Sequence, residues 1–399
     1  MKRTLNFQEK LLSFIKRTKT KNFKYAVIAA PLLIVSLATT TWMGRTEEVK
    51  SVSPREDQLL TMTMVGDVMM GRHVEEVIKR QGSDYLFRYV RPYFDNSDYV
   101  SGNFEHPILK ENVSKYSEAD KSIHLHTNPD VAKTVKNAGF TVLNLANNHL
   151  MDYQEKGLQD TLDVFESSNI DYVGAGRNRK DAKDQINYQD VNGVRVATLG
   201  FTDTFTSGSI ATSEQNGLLS TNPDVLFEMI VKAKDSKQGN ADLVVVNVHW
   251  GQEYDTEASP RQKALAKAMV DAGADIIIGH HPHVLQSFDV YKQGVIFYSL
   301  GNFVFDQGWT RTKDTAMVQY NLADNGKASI DVIPMQIEEA APRPATNYLD
   351  KKRVYRQLTK ETAGNVLWSK KENNLELIVN HKHVIDHMKS RKEKETNRK

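Results

Sequence analysis

Six short apolar runs in this chain each stop at a residue that could bind a metal ion or move a proton. Thr61-Met62-Thr63-Met64-Val65 leads into Gly66-Asp67, and Asp98-Tyr99-Val100 into Ser101-Gly102-Asn103-Phe104-Glu105-His106. Val142-Leu143-Asn144-Leu145-Ala146 leads into Asn147-Asn148-His149, and Leu243-Val244-Val245-Val246-Asn247-Val248 into His249-Trp250-Gly251. Asp275-Ile276-Ile277-Ile278 leads into Gly279-His280-His281-Pro282-His283, and Val295-Ile296-Phe297-Tyr298-Ser299-Leu300 into Gly301-Asn302. Unbroken apolar runs of this length are what strands buried on both faces look like. In α/β sheets the chemistry collects just beyond the carboxyl ends of the strands. A His-x-His pair at such an end can place two neutral nitrogens on one metal ion. The competing reading is three histidines that only make hydrogen bonds in the core.

Helical segments alternate with these runs. Residues 129–137 carry Val131, Ala132 and Val135 on one side and stop before Gly139. Residues 155–168 follow the Asn-Asn-His loop, and Ser259-Pro260 opens a helix that runs to Gly273. Alternation of this kind predicts α/β layering. Residues 201–220 read as a loop near the site. The main domain is expected over 59–340, after a polar linker at 44–58. Beyond Ala341-Pro342-Arg343-Pro344 comes an extension, 341–399, in which 354–358 and 375–379 read as strands and the basic end as a solvated tail.

Composition removes several functions. The chain of 399 residues has no cysteine, which excludes disulfides, thiolate nucleophiles, a lipoprotein anchor and Cys-type zinc or iron–sulfur sites. A formal net charge of +2 implies no nucleic-acid partner. No Gly-x-x-x-x-Gly-Lys-[Ser/Thr] loop is present, so no P-loop nucleotide site is expected.

Residues 25–43 carry no charge. As a helix they would span about 28 Å, close to the roughly 30 Å hydrocarbon core of a bilayer. Pro31 is tolerable in a membrane helix, and Trp42 lies where an aromatic anchor belongs. Lys2, Arg3, Lys10, Lys16, Arg17, Lys19, Lys21 and Lys24 precede the run against Glu9 alone. The positive-inside bias therefore predicts a cytoplasmic head at 1–24, an uncleaved span at 25–43 and an extracytoplasmic main domain in the cell membrane. A cleaved leader is the competing reading, for which the charged head is long.

The order Gly-Asp, Gly-Asn-x-Glu, Asn-Asn-His, His-Trp-Gly, Gly-His-x-Pro-His resembles the calcineurin-like metallophosphoesterase pattern. It is most similar to the branch of poly-γ-glutamate capsule proteins, the CapA/PgsA family. The stretches 66–72, 280–284 and 298–306 carry that branch's likeness, which covers about residues 60–340. The resemblance implies a four-layer α/β/β/α sandwich of metallophosphoesterase type, here preceded by one transmembrane helix. It also implies a place in capsule polymer synthesis or export, beside an ATP-dependent poly-γ-glutamate ligase and integral membrane subunits.

Carried over by position, the resemblance implies Asp67, Glu105, Asn148, His249, His281 and His283 as ligands for one or two divalent ions, Mn, Fe or Zn. His149 matches the histidine that faces substrate and moves a proton. Asn103, His280 and Asn302 are expected behind the ligands or beside substrate, and Arg72 and Arg311 near the carboxylates of poly-γ-glutamate. Two positions depart from the wider pattern. Met69 stands where a ligating histidine is usual, and a thioether is a poor ligand for such ions. Asn103 stands where a bridging aspartate is usual, and Glu105, on the same strand face, is the expected replacement. Two other functions are compatible with the sequence: a surface metal-dependent phosphoesterase, or a non-catalytic scaffold of the capsule complex.

Overall fold

The apolar runs do become strands, and they divide between two sheets. One side of the larger sheet, from its central strand out to the edge, is the parallel run Leu60–Val68, Tyr99–Phe104, Val142–Asn144 and Asp171–Val173. On the other edge of Leu60–Val68 the antiparallel strands Asp314–Leu322, Lys327–Glu338, Leu375–Asn380 and Trp368–Lys370 follow in that order. The short strand Asn302–Val304 also pairs with Leu60–Val68, in parallel, at its carboxyl end. The smaller sheet has the order Phe288–Tyr291, Gly294–Phe297, Ile276–His280, Leu243–His249, Val194–Thr202 and Asn187–Val191, the middle four parallel.

The computed structural model describes residues 6–19, 22–43, 58–235, 237–364 and 366–397. They form two compact units, Met1–Glu48 with Thr346–Leu349, and Val49–Ala345 with Asp350–Lys399. Residues 44–57 of the expected linker, and the first five residues of the head, lie outside the described residues.

Burial shows how the larger unit is layered. Met62, Met64, Tyr99 and Val142 from one sheet and Val196, Val245, Ile278 and Phe297 from the other share a single core between the sheets. The opposite face of the larger sheet, with Val65, Val100 and Leu143, packs against helices Arg72–Gln81, Asp130–Ala138 and Gln154–Ser167. The opposite face of the smaller sheet, with Val244, Val246 and Ile277, packs against Pro223–Lys234 and Pro260–Ala272. The fold is thus a mixed α/β protein built on a sheet core. The expected caps form: the Ser259 hydroxyl accepts from the Gln262 N–H while the Gln262 side chain accepts from the Ser259 N–H, and Gly273 closes the helix at φ 118°.

The C-terminal region differs from the sequence reading in two places. Residues 354–358 are helical, within Tyr348–Thr359, because Val354, Tyr355 and Leu358 share one helix face and bury it. The basic end is helical instead of an unstructured tail, packed as far as Arg391 and exposed over 392–397. It forms the helix Lys382–Thr396, which buries Val384, Ile385, Met388 and Arg391 against the sheets. Only 375–379 is a strand, as expected, within Leu375–Asn380.

The smaller unit holds helices Phe7–Thr18 and Asn22–Met43, the second with Pro31 inside it. Val27, Ile28, Leu32, Leu33, Ile34, Val35 and Leu37 of the second helix are all exposed. Among the described residues no helix is long and apolar enough to cross a membrane. The side chains of residues 22–23 and 40–43, Trp42 among them, are outside that description.

Candidate metal centre

Strand register brings the polar ends together. Asp67 lies opposite both Asn302 and Asn103, Asn103 opposite Asn144, and His249 opposite His280. A register shift in Leu60–Val68 between Met64 and Asp67 turns the strand end, as a bulge does. Gly66 is required there, because a Cβ at that position would land on the Gly301 carbonyl.

Asp67 is the hub. Its Oδ1 accepts from the Asn103 amide at 2.9 Å and lies 3.5 Å from His280 Nδ1. Its Oδ2 accepts from the His281 N–H at 3.3 Å and lies 3.4 Å from His283 Nδ1. Glu105 Oε1 lies 3.5 Å from His283 Nε2. One atom each from Asp67, Glu105 and His283 falls within 4.8 Å of the others, and so does a second group, Glu253, His281 and His283. His249 Nε2 and Asn148 Oδ1 face each other at 2.9 Å, and the His249 and His281 rings are 4.7 Å apart. All six expected ligands therefore gather at one place.

The other expected residues are placed as follows. Asn103 is tied to Asp67, Asn144 and Asn147 and holds the floor of the cluster. His280 faces Asn247 Oδ1 at 3.2 Å, and Asn302 accepts from His283 Nδ1 at 2.9 Å. Arg72 pairs with Asp306 at 2.5 Å and lies over Phe305, whose ring is 5.0 Å from His283, so it belongs to the rim. Arg311 is exposed on the short helix Thr310–Lys313 and makes no contact with the cluster among the described residues. Met69 points away, buried in the core under the helices.

His149 is held by residues the sequence reading did not include. Asp152 Oδ2 is 2.7 Å from its Nδ1, and Lys121 Nζ bridges Asp152 Oδ1 at 2.6 Å and the Asn148 carbonyl at 2.9 Å. Lys121 Nζ also lies 3.1 Å from that Nδ1, but the shorter contact is to Asp152; a carboxylate can only accept, so the neutral ring that keeps the 2.7 Å contact carries its proton on Nδ1 and leaves Nε2 to accept. Asp152, three residues after His149, carried a signal in the spacing, as did Glu253, four after His249. Lys121 sits in an irregular stretch that offered none.

Burial and neighbouring charge set the protonation. Burial pushes the Asp67 carboxyl up, but His280 and His283 outweigh it and hold it well below its ordinary value. Burial, with the Asp67 charge, pushes Glu105 well above its ordinary value. Burial pulls His283 down, yet Glu105 and Asp67 raise it to about 9. His281 falls to about 3 through burial and the neighbouring His283, and burial lowers His249 and His149 as well. His149 is thus neutral at pH 7.

The donor set suits a divalent cation. Glu105 Oε1, His280 Nδ1 and His281 Nδ1 are buried without a hydrogen-bond partner. Each such atom costs about 1–3 kcal/mol, which a cation would offset. Carboxylate, amide and imidazole without thiolate match Mn, Fe or Zn. The backbone at His281 (φ 94°), His283 (φ 57°), Tyr254 (φ 64°) and Arg72 (φ 50°) is left-handed at non-glycine residues, a costly conformation that concentrates at functional sites.

Sheets that carry such a cluster at their joined strand ends define an α/β protein with a candidate metal centre. The description "Bacterial capsule synthesis protein PGA_cap" matches residues 61–307, and this chain belongs to that family. It is 66% identical to a capsule biosynthesis protein CapA of Bacillus anthracis over 391 residues, 98% of this chain and 95% of the relative. It is 49% identical to a PGA biosynthesis protein CapA of Bacillus subtilis over 382 residues, 96% of this chain and 98% of the relative. Among solved structures it is similar to a calcineurin-like phosphoesterase, YfkN from Bacillus subtilis, with 14% identity and a TM-score of 0.34, over 85% of this chain and 99% of that chain.

Proposed function

We propose that this chain is a membrane-anchored component of a poly-γ-glutamate capsule synthesis and export machine. Near-full-length identity to two relatives named for capsule and PGA biosynthesis carries the reading. Residues 25–43 are the span, the basic head is cytoplasmic and the main domain is outside. The eight basic residues before the span, against Glu9, support that orientation. Glutamate polymerisation needs activation, and with no P-loop in this chain the ATP-dependent step belongs to a partner ligase.

Asp67, Glu105, His281 and His283 would hold the divalent ion, with His249 and Asn148 closing the other side. When bound, it supplies electrophilic polarisation of a carbonyl or phosphoryl oxygen, or a more acidic water. His149, neutral and held by Asp152, accepts or returns a proton through Nε2. Arg72 offers polymer carboxylates a two-pronged donor at the rim, in exchange for Asp306.

Two experiments test this. Purified protein should carry a transition metal, and the double change His281→Ala, His283→Ala should remove it. Unchanged metal content in the double variant would return the histidines to a structural role. In cells, His149→Ala or Glu105→Gln should leave the protein in the membrane and sharply reduce surface polymer. Normal polymer at equal protein level would sink the metal-site mechanism and leave the capsule assignment standing.

A further inference from the structure

The head before the span has a shape of its own. Helix Phe7–Thr18 buries no residue. Phe7 (80% exposed), Phe14 (65%) and Leu12 (57%) stand out to solvent, with Leu11 and Ile15 between them. Positions 7, 11, 14 and 15 follow the spacing of one helix face, and Leu12 widens it. Ser13 and Glu9 lie on the opposite face, and Lys10 and Arg17 lie along its edge. Glu9, the one acid of the head, is engaged in the cap: its carboxylate accepts the Asn6 N–H and the Asn6 side chain accepts the Glu9 N–H, both at 2.9 Å. The reciprocal cap fixes the start of the helix.

We propose that Phe7–Thr18 lies flat on an anionic lipid surface, its apolar face at the boundary between headgroups and acyl chains. A wide apolar face left exposed among the described residues, with a basic polar border, is what an interfacial helix needs. Lys10, Arg17 and Lys19 border the apolar face and complement acidic headgroups, and their stems can run along it while their charges reach the phosphates; Lys16 lies beside Glu9 on the opposite face, and Lys2 and Arg3 add basic charge ahead of the helix in sequence. The few residues between Thr18 and Asn22 keep this helix at the mouth of the second one. The location rests on the span proposed above; the lipid chemistry rests on the helix itself. The consequence is a chain gripped at the inner leaflet as well as through the bilayer, with its depth and tilt set by lipid charge.

The absence of cysteine allows a direct test on the full chain. Phe14→Cys and Ser13→Cys, each labelled with an environment-sensitive dye, report the two faces in vesicles of phosphatidylcholine with or without phosphatidylglycerol. With phosphatidylglycerol, the label at 14 should be several-fold less quenched by aqueous iodide than the label at 13. Lys10→Gln with Arg17→Gln should erase the gain that phosphatidylglycerol gives. Equal quenching at 13 and 14 in protein that floats with anionic vesicles overturns the interfacial helix and leaves the span standing. Protection that ignores phosphatidylglycerol overturns the anionic part. Protein that floats with neither vesicle overturns the span and this inference together.

Discussion

Strands Leu243–His249 and Ile276–His280 carry ionisable groups at both ends, and the two ends treat them in opposite ways. At the starts, Asp242 and Asp275 are buried and well paired. Asp242 takes Arg391 at 2.9 Å and His387 at 2.7 Å, and Asp275 takes Lys234 and His383, each at 2.7 Å. One imidazole nitrogen there, His383 Nδ1, lacks a partner, but both carboxylates are neutralised. At the finishes, His249 and His280 meet Asp67 and Glu105, which the ends of Leu60–Val68 and Tyr99–Phe104 supply; these carboxylates are equally buried, yet Glu105 Oε1 and the Nδ1 atoms of His280 and His281 are left over among the described residues. The charges at the first end close a structure. Those at the second leave buried polar atoms that a bound cation would satisfy. Burial alone therefore does not tell a structural carboxylate from a functional one; the completeness of its partners does.

The largest effect that would sharpen this contrast is at the paired end. Arg391→Ala strands the buried Asp242, and denaturant unfolding should show a loss of about 3–5 kcal/mol. A loss under about 1 kcal/mol would mean that His387 alone suffices and the end is less dependent on pairing than argued. At the other end the sign reverses. Glu105→Gln removes a carboxylate that burial and Asp67 disfavour, so chelator-treated protein should be unchanged or more stable by about 1–2 kcal/mol, while metal retention falls. A destabilised metal-free variant breaks the comparison. The smallest effect is in pH. Burial raises the Asp275 carboxyl, but Lys234 and His383 outweigh it and hold it below its ordinary value. A carboxyl depressed in the folded state stabilises the fold above its unfolded value of about 4, and that contribution fades as the pH falls below it. The stability gap between the chain and Asp275→Asn should accordingly shrink as pH drops from about 5 to about 2.

The strands and the gathering of the candidate ligands were legible because each rests on local sequence: an apolar run, then a polar stop. The basic C-terminal helix was not. Val384, Ile385 and Met388 are a thin stripe among charges, and Arg391 is buried only because Asp242, far away in sequence, meets it. Val354, Tyr355 and Leu358 had helical spacing within too short a window to separate helix from strand. At the site, Arg311 looked close because it follows Asn302 in sequence, but the short helix Thr310–Lys313 carries it outward. Lys121 was hidden for the converse reason: an irregular stretch delivers it to Asp152 across the fold.

The larger sheet also fixes when this protein can finish folding. Leu60, near the start of the domain, pairs with Leu322, and the strand after that pairs with Leu375–Asn380. Until those late segments have been made, one edge of Leu60–Val68 has no partner and the core between the sheets has no wall. Long-range pairing of this kind delays folding until its most distant strand arrives. A chain made amino end first can pair its strands within 60–297 early, but the seam between the sheets stays open on one side until the segments at 314–380 arrive to shut it.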